Sequence, residues 1–83
     1  MTEAEIRSIL LDVLENLFEV DVSRVQGSTR LYDDLEIDSI DAVDLLDQIK
    51  RQTGYKLHPD DFRSVRTIDD VVQAVLKQAQ AGQ

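Results

Sequence analysis

The first part of the chain has apolar residues at helical spacing. Between Ile6 and Phe18 they recur three and four positions apart, which puts them on one face of an amphipathic helix. Thr2 and Glu5 have the spacing of a capping box, in which each side chain bonds the other residue's backbone N–H. The pattern therefore predicts a first helix from about residue 3 to 18.

The periodicity is lost between Glu19 and Glu36. Gly27 and its neighbours Ser28 and Thr29 provide turn chemistry, while the aliphatic residues of this stretch are scattered. So long a connection in a small domain usually either has a function or packs against the core. Both roles remain open from the sequence alone.

A second helix is marked by signals at both of its ends. Asp38 is a good N-cap, Asp41 falls at the third helical position and Gly54 is placed to terminate the helix. We therefore predict a helix that begins at Ser39 and ends at about residue 52 or 53. Its first turn is crowded with carboxylates, which the helix dipole favours there.

Two further helices are predicted in the last third of the chain. Pro59 suits the first turn of a short helix that includes Phe62. Thr67 and Asp70 then cap a last helix with apolar residues at helical spacing, and residues 78–83 are expected to fray. No segment of adequate length alternates strictly as a β-strand does. The prediction is an all-α, four-helix bundle with three main helices, one short helix and a long first loop.

The size and residue content restrict the chemistry. The 83 residues fit a single domain, 1–83, and include one histidine and no cysteine. A catalytic triad or a zinc site is therefore not expected. Asp34, Glu36 and Asp38 resemble a calcium loop, but Ser39 stands where that loop needs glycine and Leu45 where it needs glutamate. We predict no specific metal site, while weak divalent binding that relieves the repulsion between these acids stays open.

The negative charge is concentrated in one segment. The chain has 17 acidic and nine basic residues, and the segment Asp33–Asp47 contains seven of the acids and no base. Such a field repels nucleic acid and anionic lipid and favours partners with basic surfaces. The first residues include acids where a signal peptide would have basic residues. No apolar run is long enough to span a bilayer. We expect a cytoplasmic protein without membrane insertion.

Ile40 is out of phase with the apolar face of the second helix. On a helical wheel Ala42, Leu45, Leu46 and Ile49 share one side, whereas Ile40 falls among the charged residues of the opposite side. It could pack beneath the connection that contains Leu31 and Leu35, as scattered aliphatic residues commonly do. It could instead be an apolar partner contact surrounded by carboxylates. The wheel favours neither interpretation.

The segment DDLEIDSIDAVDLL, Asp33–Leu46, resembles the modification site of acyl carrier proteins. In that family an Asp-Ser-Leu or Asp-Ser-Ile opens the second helix of a four-helix bundle. The resemblance extends over nearly the whole chain and includes LHPDDF before the short helix and RTIDDVV at the last one. It implies that the chain belongs to a class of carriers rather than enzymes.

The resemblance also implies a cofactor and partners. Ser39 would carry 4′-phosphopantetheine, transferred from coenzyme A by a separate Mg-dependent phosphopantetheinyl transferase, with acyl groups attached as thioesters to the arm's thiol. The position of Ser39 at the start of a helix suits a phosphate group. Other partners would be acyltransferases, ketosynthases and further pathway enzymes with basic docking surfaces, acting on a monomeric carrier. The expected docking residues are Asp38, Ile40, Asp41, Val43, Asp44 and Asp47.

Some residues depart from the common fatty-acid carrier pattern. Asp47 stands where many members have an exposed apolar residue, and Phe62 stands where a small residue often lines the acyl pocket. We therefore expect a specialised carrier of a polyketide-like or aryl-polyene-like pathway, loaded with short, rigid or conjugated chains. The residues expected to line an acyl-chain gap are Ala42, Leu46, Phe62, Ile68 and Val71.

Two other functions stay open. A peptidyl or aminoacyl carrier would share the fold and cofactor, but such carriers usually have a Gly-rich run before the serine, where this chain has Glu36, Ile37 and Asp38. A cofactor-free acidic helical adaptor would have no modification at Ser39.

Overall fold

The computed structural model describes residues 2–58 and 64–81, and these form an all-helical fold. The main helices are α1 (Glu3–Phe18), α2 (Ser39–Thr53) and α3 (Ile68–Ala81), and a 3₁₀ turn spans Val22–Arg24. The three predicted main helices are confirmed. In the described ranges no strand forms, and the one β-type pairing is an isolated bridge between Arg30 and Thr67. The predicted short helix with Pro59 and Phe62 lies mostly outside the described residues.

The predicted helix ends have the expected hydrogen bonds. At the start of α1, the Glu5 N–H donates to the Thr2 hydroxyl and the Thr2 N–H donates to the Glu5 carboxylate, both at 3.2 Å. The Thr2 backbone donor, together with the Thr2 hydroxyl, lowers the pKa of Glu5. At the start of α2, the Asp38 carboxylate accepts from the Asp41 N–H at 2.8 Å. Gly54 ends α2 in the left-handed conformation, with φ 80°, where a side chain would be strained.

The core lies between α1, α2 and α3. Each helix contributes fully buried aliphatic side chains to it, and Leu31, Ile37, Leu57 and Val65 add to it from outside the helices. The described residues include no buried polar or charged side chain. Folding is therefore driven by apolar burial, and the charged groups remain in water.

The long connection is bonded to the start of α3. The Leu31 N–H donates to the Arg66 carbonyl at 2.9 Å, the Ile68 N–H to the Thr29 carbonyl at 3.1 Å, and the Asp69 N–H to a third carbonyl of the connection at 2.9 Å. These bonds run in both directions between the two segments. They hold Leu31 in the core, where its exposure is 0%.

Asp69 also links the connection to α1. Its carboxylate accepts a hydrogen bond from the Arg7 guanidinium at 2.6 Å, and this carboxylate is the main reason that the pKa of Arg7 is raised. A Cβ atom at Gly27 would press against the same carboxylate at a separation that real side chains do not show. A side chain at position 27 would therefore displace the Asp69 carboxylate from its place beside Arg7.

α3 extends further than the sequence suggested. The expected frayed tail began at about residue 78, but the helix continues to Ala81. Ala79 is buried against the core in this last turn. Packing of that kind stabilises helical structure close to a chain end.

The capping box of α3 gives a stability prediction with a defined pH dependence. The Asp70 carboxylate accepts from the Arg66 and Thr67 backbone N–H groups at 3.0 and 3.1 Å, and the Thr67 hydroxyl accepts from the Asp70 N–H. We expect Asp70→Ala to lower the free energy of unfolding at pH 7 by about 1 kcal/mol, measured by urea denaturation. Asp12→Ala, an exposed carboxylate of α1, is the control.

The cost of Asp70→Ala should depend on pH. The Arg66 N–H, and then the Thr67 groups, lower the pKa of Asp70 against the opposing effect of its desolvation. A carboxylate with a lowered folded-state pKa stabilises the fold above its ordinary pKa of about 4, and this contribution is lost as the pH falls through the folded-state value. The difference between wild type and variant should therefore be full at pH 7 and shrink below about pH 4. A difference that is constant across this range would contradict the assignment.

Candidate functional site

Ser39 is the first residue of α2 and is exposed to solvent. Asp38 precedes it in an extended conformation, with ψ −177°, and its carboxylate caps the helix. The chain therefore turns sharply into the helix at the serine. A hydroxyl group at such a turn is accessible to another protein's active site.

The start of α2 has donors that could receive an anionic group. The Asp41 N–H is bonded to the Asp38 side chain and the Ala42 N–H to the Asp38 carbonyl. Within the described part of the chain, no hydrogen bond is assigned to the backbone N–H groups of Ser39 and Ile40. Unpaired N–H groups and the helix dipole favour negative charge at this end. A phosphodiester on the Ser39 oxygen therefore fits the residues present.

Ile40 and Val43 are the most exposed large apolar side chains in the described residues. Their exposed fractions are 74% and 63%. Leu31 is fully buried and Leu35 half-buried, so the connection packs into the core without covering Ile40. The interpretation that Ile40 packs beneath the connection is therefore wrong.

The acidic residues around Ser39 differ in their contacts. Asp38 is engaged in the cap, Asp41 is half-buried and Asp44 is exposed. Asp47 forms an ion pair with Arg51 one turn later, with 3.0 Å between the carboxylate and Nε. Asp44 is therefore the exposed carboxylate of the four with no side-chain hydrogen bond or ion pair within the described residues, and the charge of Asp47 is partly balanced within the helix.

The residues expected to line an acyl gap lie towards the interior. Ala42, Ile68 and Val71 are at most 5% exposed, and Leu46 is half-buried against the core. Phe62 lies outside the described residues. The described members of this set therefore lie at the core, and a chain that entered among them would have to displace buried side chains.

Neither a metal-ligand cluster nor a membrane-spanning helix occurs in the described part of the chain. No group of three or more potential metal-ligating side chains occurs within residues 2–58 and 64–81. No helix in these ranges is both long and apolar enough to cross a bilayer. His58 is exposed.

One side-chain cluster was not anticipated from the sequence. Arg30, Tyr32 and Asp33 of the connection share a surface cleft with Arg66, which precedes α3. The two arginines are far apart in sequence, and only the bridge between the connection and α3 brings them together. A local pattern of residues contains no signal for such a pairing.

A family model described as a phosphopantetheine attachment site matches residues 5–75. The match includes all of α2 and most of α1 and α3. It therefore covers well over half of the chain, including Ser39.

Several characterised proteins are similar to the chain over most of their length. Acyl carrier protein 2 of Ralstonia nicotianae is 41% identical over 75 residues, which are 90% of this chain and 93% of that protein. The acyl carrier protein of Lactobacillus acidophilus is 31% identical over 90% of this chain and 94% of its own. The meromycolate extension acyl carrier protein of Mycolicibacterium smegmatis is 32% identical over 92% of this chain and 77% of its own.

Proposed function

The chain belongs to the acyl carrier protein family, and we propose that Ser39 is the residue that carries its 4′-phosphopantetheine arm. Members of this family hold acyl groups as thioesters on the terminal thiol of the covalently attached arm, and they are carriers rather than enzymes. The observation that supports the assignment to Ser39 is its exposed position at the first residue of α2, directly after the capping Asp38.

The surroundings of Ser39 suit a phosphodiester. When the arm is transferred from coenzyme A, the serine hydroxyl loses its proton, its oxygen bonds to phosphorus and the nucleotide leaves. The Ser39 and Ile40 N–H groups and the dipole of α2 would stabilise the remaining negative charge. The Asp38 carboxylate is hydrogen-bonded to the Asp41 N–H and is therefore held in the N-terminal cap of α2.

The other serines offer no comparable position. Ser8 lies within α1, and the Ser23 hydroxyl donates to Asp21 at 2.6 Å. Ser28 lies in the connection and Ser64 between α2 and α3. None of them begins a helix inside a run of acidic residues. The combination of exposure, helix start and acidic neighbours is specific to Ser39.

Members of the family work with biosynthetic enzymes, and we infer which residues these enzymes contact here. The proposed docking surface consists of Asp38, Ile40, Asp41, Val43, Asp44 and Asp47. The exposure of Ile40 and Val43 supports an apolar contact, and the surrounding carboxylates support partners with a basic rim. These partners would be a phosphopantetheinyl transferase, acyltransferases and ketosynthases.

The pathway we propose is specialised fatty-acid or polyketide-type biosynthesis. One relative is named for meromycolate extension and others simply as acyl carrier proteins, which supports acyl cargo over aminoacyl cargo. The family match also supports a phosphopantetheine carrier over a cofactor-free adaptor. In this proposal residues 1–83 are one carrier domain that works as a cytoplasmic monomer.

The first test of the proposal is the modification of Ser39. Incubation with coenzyme A and a broad-specificity phosphopantetheinyl transferase should add the mass of one arm to wild type and none to Ser39→Ala, as measured by intact-mass spectrometry. Ser28→Ala, which also removes an exposed hydroxyl, should be modified as wild type. An arm on Ser39→Ala would show that the site is elsewhere. No arm on folded wild type would contradict the carrier assignment.

Charge reversal tests the docking surface. Asp44→Lys should lower kcat/KM for arm transfer at low salt by on the order of fivefold, because an exposed carboxylate beside Ser39 steers a basic partner. The loss should shrink in high salt, where screening is stronger. Glu15→Lys makes the same charge change at an exposed position of α1 and is the control. Equal rates for the two variants would mean that the acids near Ser39 are only solvated surface.

The packing around Val71 predicts the cargo. Since Ala42, Ile68 and Val71 are buried, a long chain that enters among them has to displace packed side chains, at a cost of about 1 kcal/mol or more. We expect long saturated acyl groups to be sequestered poorly and short, rigid or conjugated groups to be the natural load. The amide chemical shifts of Leu46 and Val71 should then be nearly the same in protein loaded with acetyl and with a long saturated acyl group. Large shifts with the long chain alone would contradict this.

A further inference from the structure

A cleft with two arginines interrupts the acidic surface near Ser39. It is lined by Arg30, Tyr32, Asp33 and Arg66 and has a volume of about 310 Å³. The cleft forms where the connection pairs with the residue before α3, through the bridge between Arg30 and Thr67. This volume is at the lower end of the range for small-ligand pockets, so a large ligand would not fit.

The two arginines of the cleft differ in their acidic contacts. Arg30 lies 3.4 Å from the Asp33 carboxylate, but both side chains are about two-thirds exposed, so this ion pair contributes little. The Arg30 N–H also donates to the Asp34 carboxylate at 2.8 Å, which places a second acid beside this arginine. The Arg66 guanidinium has no ion pair within the described residues, whereas Arg7 and Arg51 form pairs of 2.6 and 3.0 Å. Arg66 is therefore the arginine of the cleft with most capacity for one more anionic group.

The cleft lies close to Ser39. The Ile37 N–H donates to the Leu31 carbonyl at 3.0 Å, which closes the turn that contains Tyr32. Ser39 follows Ile37 by two residues. Successive Cα atoms along the chain are about 3.8 Å apart. The Cα atoms of Arg30 and Tyr32 therefore lie at most about 20 Å from the Cα atom of Ser39. A standard protein interface, with about 800 Å² on each partner, is wide enough to span this distance.

We propose that Arg30, Tyr32 and Arg66 form a second docking point, which receives one acidic side chain from a partner enzyme. The inference rests on the proposed function, because it assumes that an enzyme binds around Ser39. A guanidinium pair and a phenol hydroxyl are suited to a carboxylate. A free anion would gain only this contact and would be repelled by a chain with a net charge of −8. A carboxylate within a basic partner surface is delivered by the attraction of that surface to the acidic residues of α2.

The second docking point would fix the orientation of the partner. A purely acidic surface attracts a basic partner but allows that partner to rotate, because any part of the partner's basic rim can pair with the acids. When an acidic contact and a basic contact lie side by side, both can form in only one orientation of the partner. A rotated partner brings like charges together. Correct orientation matters for a carrier, since the arm on Ser39 has to enter one active site.

Two short peptides test the proposal on the full-length protein without its arm. Both are lysine-flanked and identical except for a central residue, Glu in one and Gln in the other. The lysines mimic a basic partner surface, and binding is followed by amide chemical shifts. We expect the Glu peptide to bind about threefold more tightly than the Gln peptide, with the additional shifts at residues 30–33 and 66.

Matched variants identify the groups responsible. The double variant Arg30→Gln with Arg66→Gln should remove the advantage of the Glu peptide, whereas Lys56→Gln with Lys77→Gln, the same loss of charge at exposed lysines, should preserve it. Equal binding of the two peptides to wild type, or an advantage that persists in the arginine variant, would overturn the proposal. It would also be overturned if attachment of the arm alone shifted residues 30–33 and 66 and blocked the Glu peptide, since the cleft would then serve the arm. The peptide measurement does not require modification of Ser39, so its failure is distinguishable from failure of the proposed function.

Discussion

The position of the candidate site depends on three backbone hydrogen bonds between the long connection and the start of α3. They join Leu31 to Arg66, Thr29 to Ile68 and Gly27 to Asp69. Without them an 18-residue stretch that lacks apolar periodicity would have little to hold it against the core. With them Leu31 is fully buried, and the turn that leads to Ser39 starts from a fixed point. The same bonds bring Arg30 beside Arg66. A connection without an α-helix or a strand thus determines what surrounds the serine.

The second constraint is the strict separation of apolar and charged groups. Among the described residues the core contains no polar or charged side chain, so the negative charge of these residues is at the surface. Carboxylates at the start of α2 repel one another, but the helix dipole and the bond from the Asp41 N–H to Asp38 favour negative charge at that end. The acidic field can therefore be concentrated beside Ser39 at a limited cost in stability. At this position the acidic field can also steer a basic enzyme towards Ser39.

The three main helices could be predicted because their signals are local. The Thr2 and Glu5 pair, the Asp38 cap with Gly54, and the Thr67 and Asp70 pair each lie within a few residues of the helix end that they determine. The identity of Ser39 as the candidate residue is also local, since it depends on a helix start and its neighbours. The exposure of Ile40 was not predictable, because it depends on the path that Leu31 and Leu35 take into the core, and Leu31 is held there by its bond to the distant Arg66. The Arg30 and Arg66 cleft has the same origin, in backbone pairing between segments far apart in the chain.

The composition of the proposed docking surface is consistent with a carrier that has to leave each enzyme after one step. Ile40 and Val43 offer a small apolar contact, and a larger exposed apolar patch would favour long-lived complexes. Affinity differences between related complexes lie mostly in the dissociation rate, whereas complementary charge mainly raises the association rate. A surface with few apolar side chains and many carboxylates therefore permits rapid encounter together with rapid release. The same surface with its carboxylates replaced by apolar residues would bind more tightly, and release of each partner would then limit the rate at which acyl groups pass from one enzyme to the next.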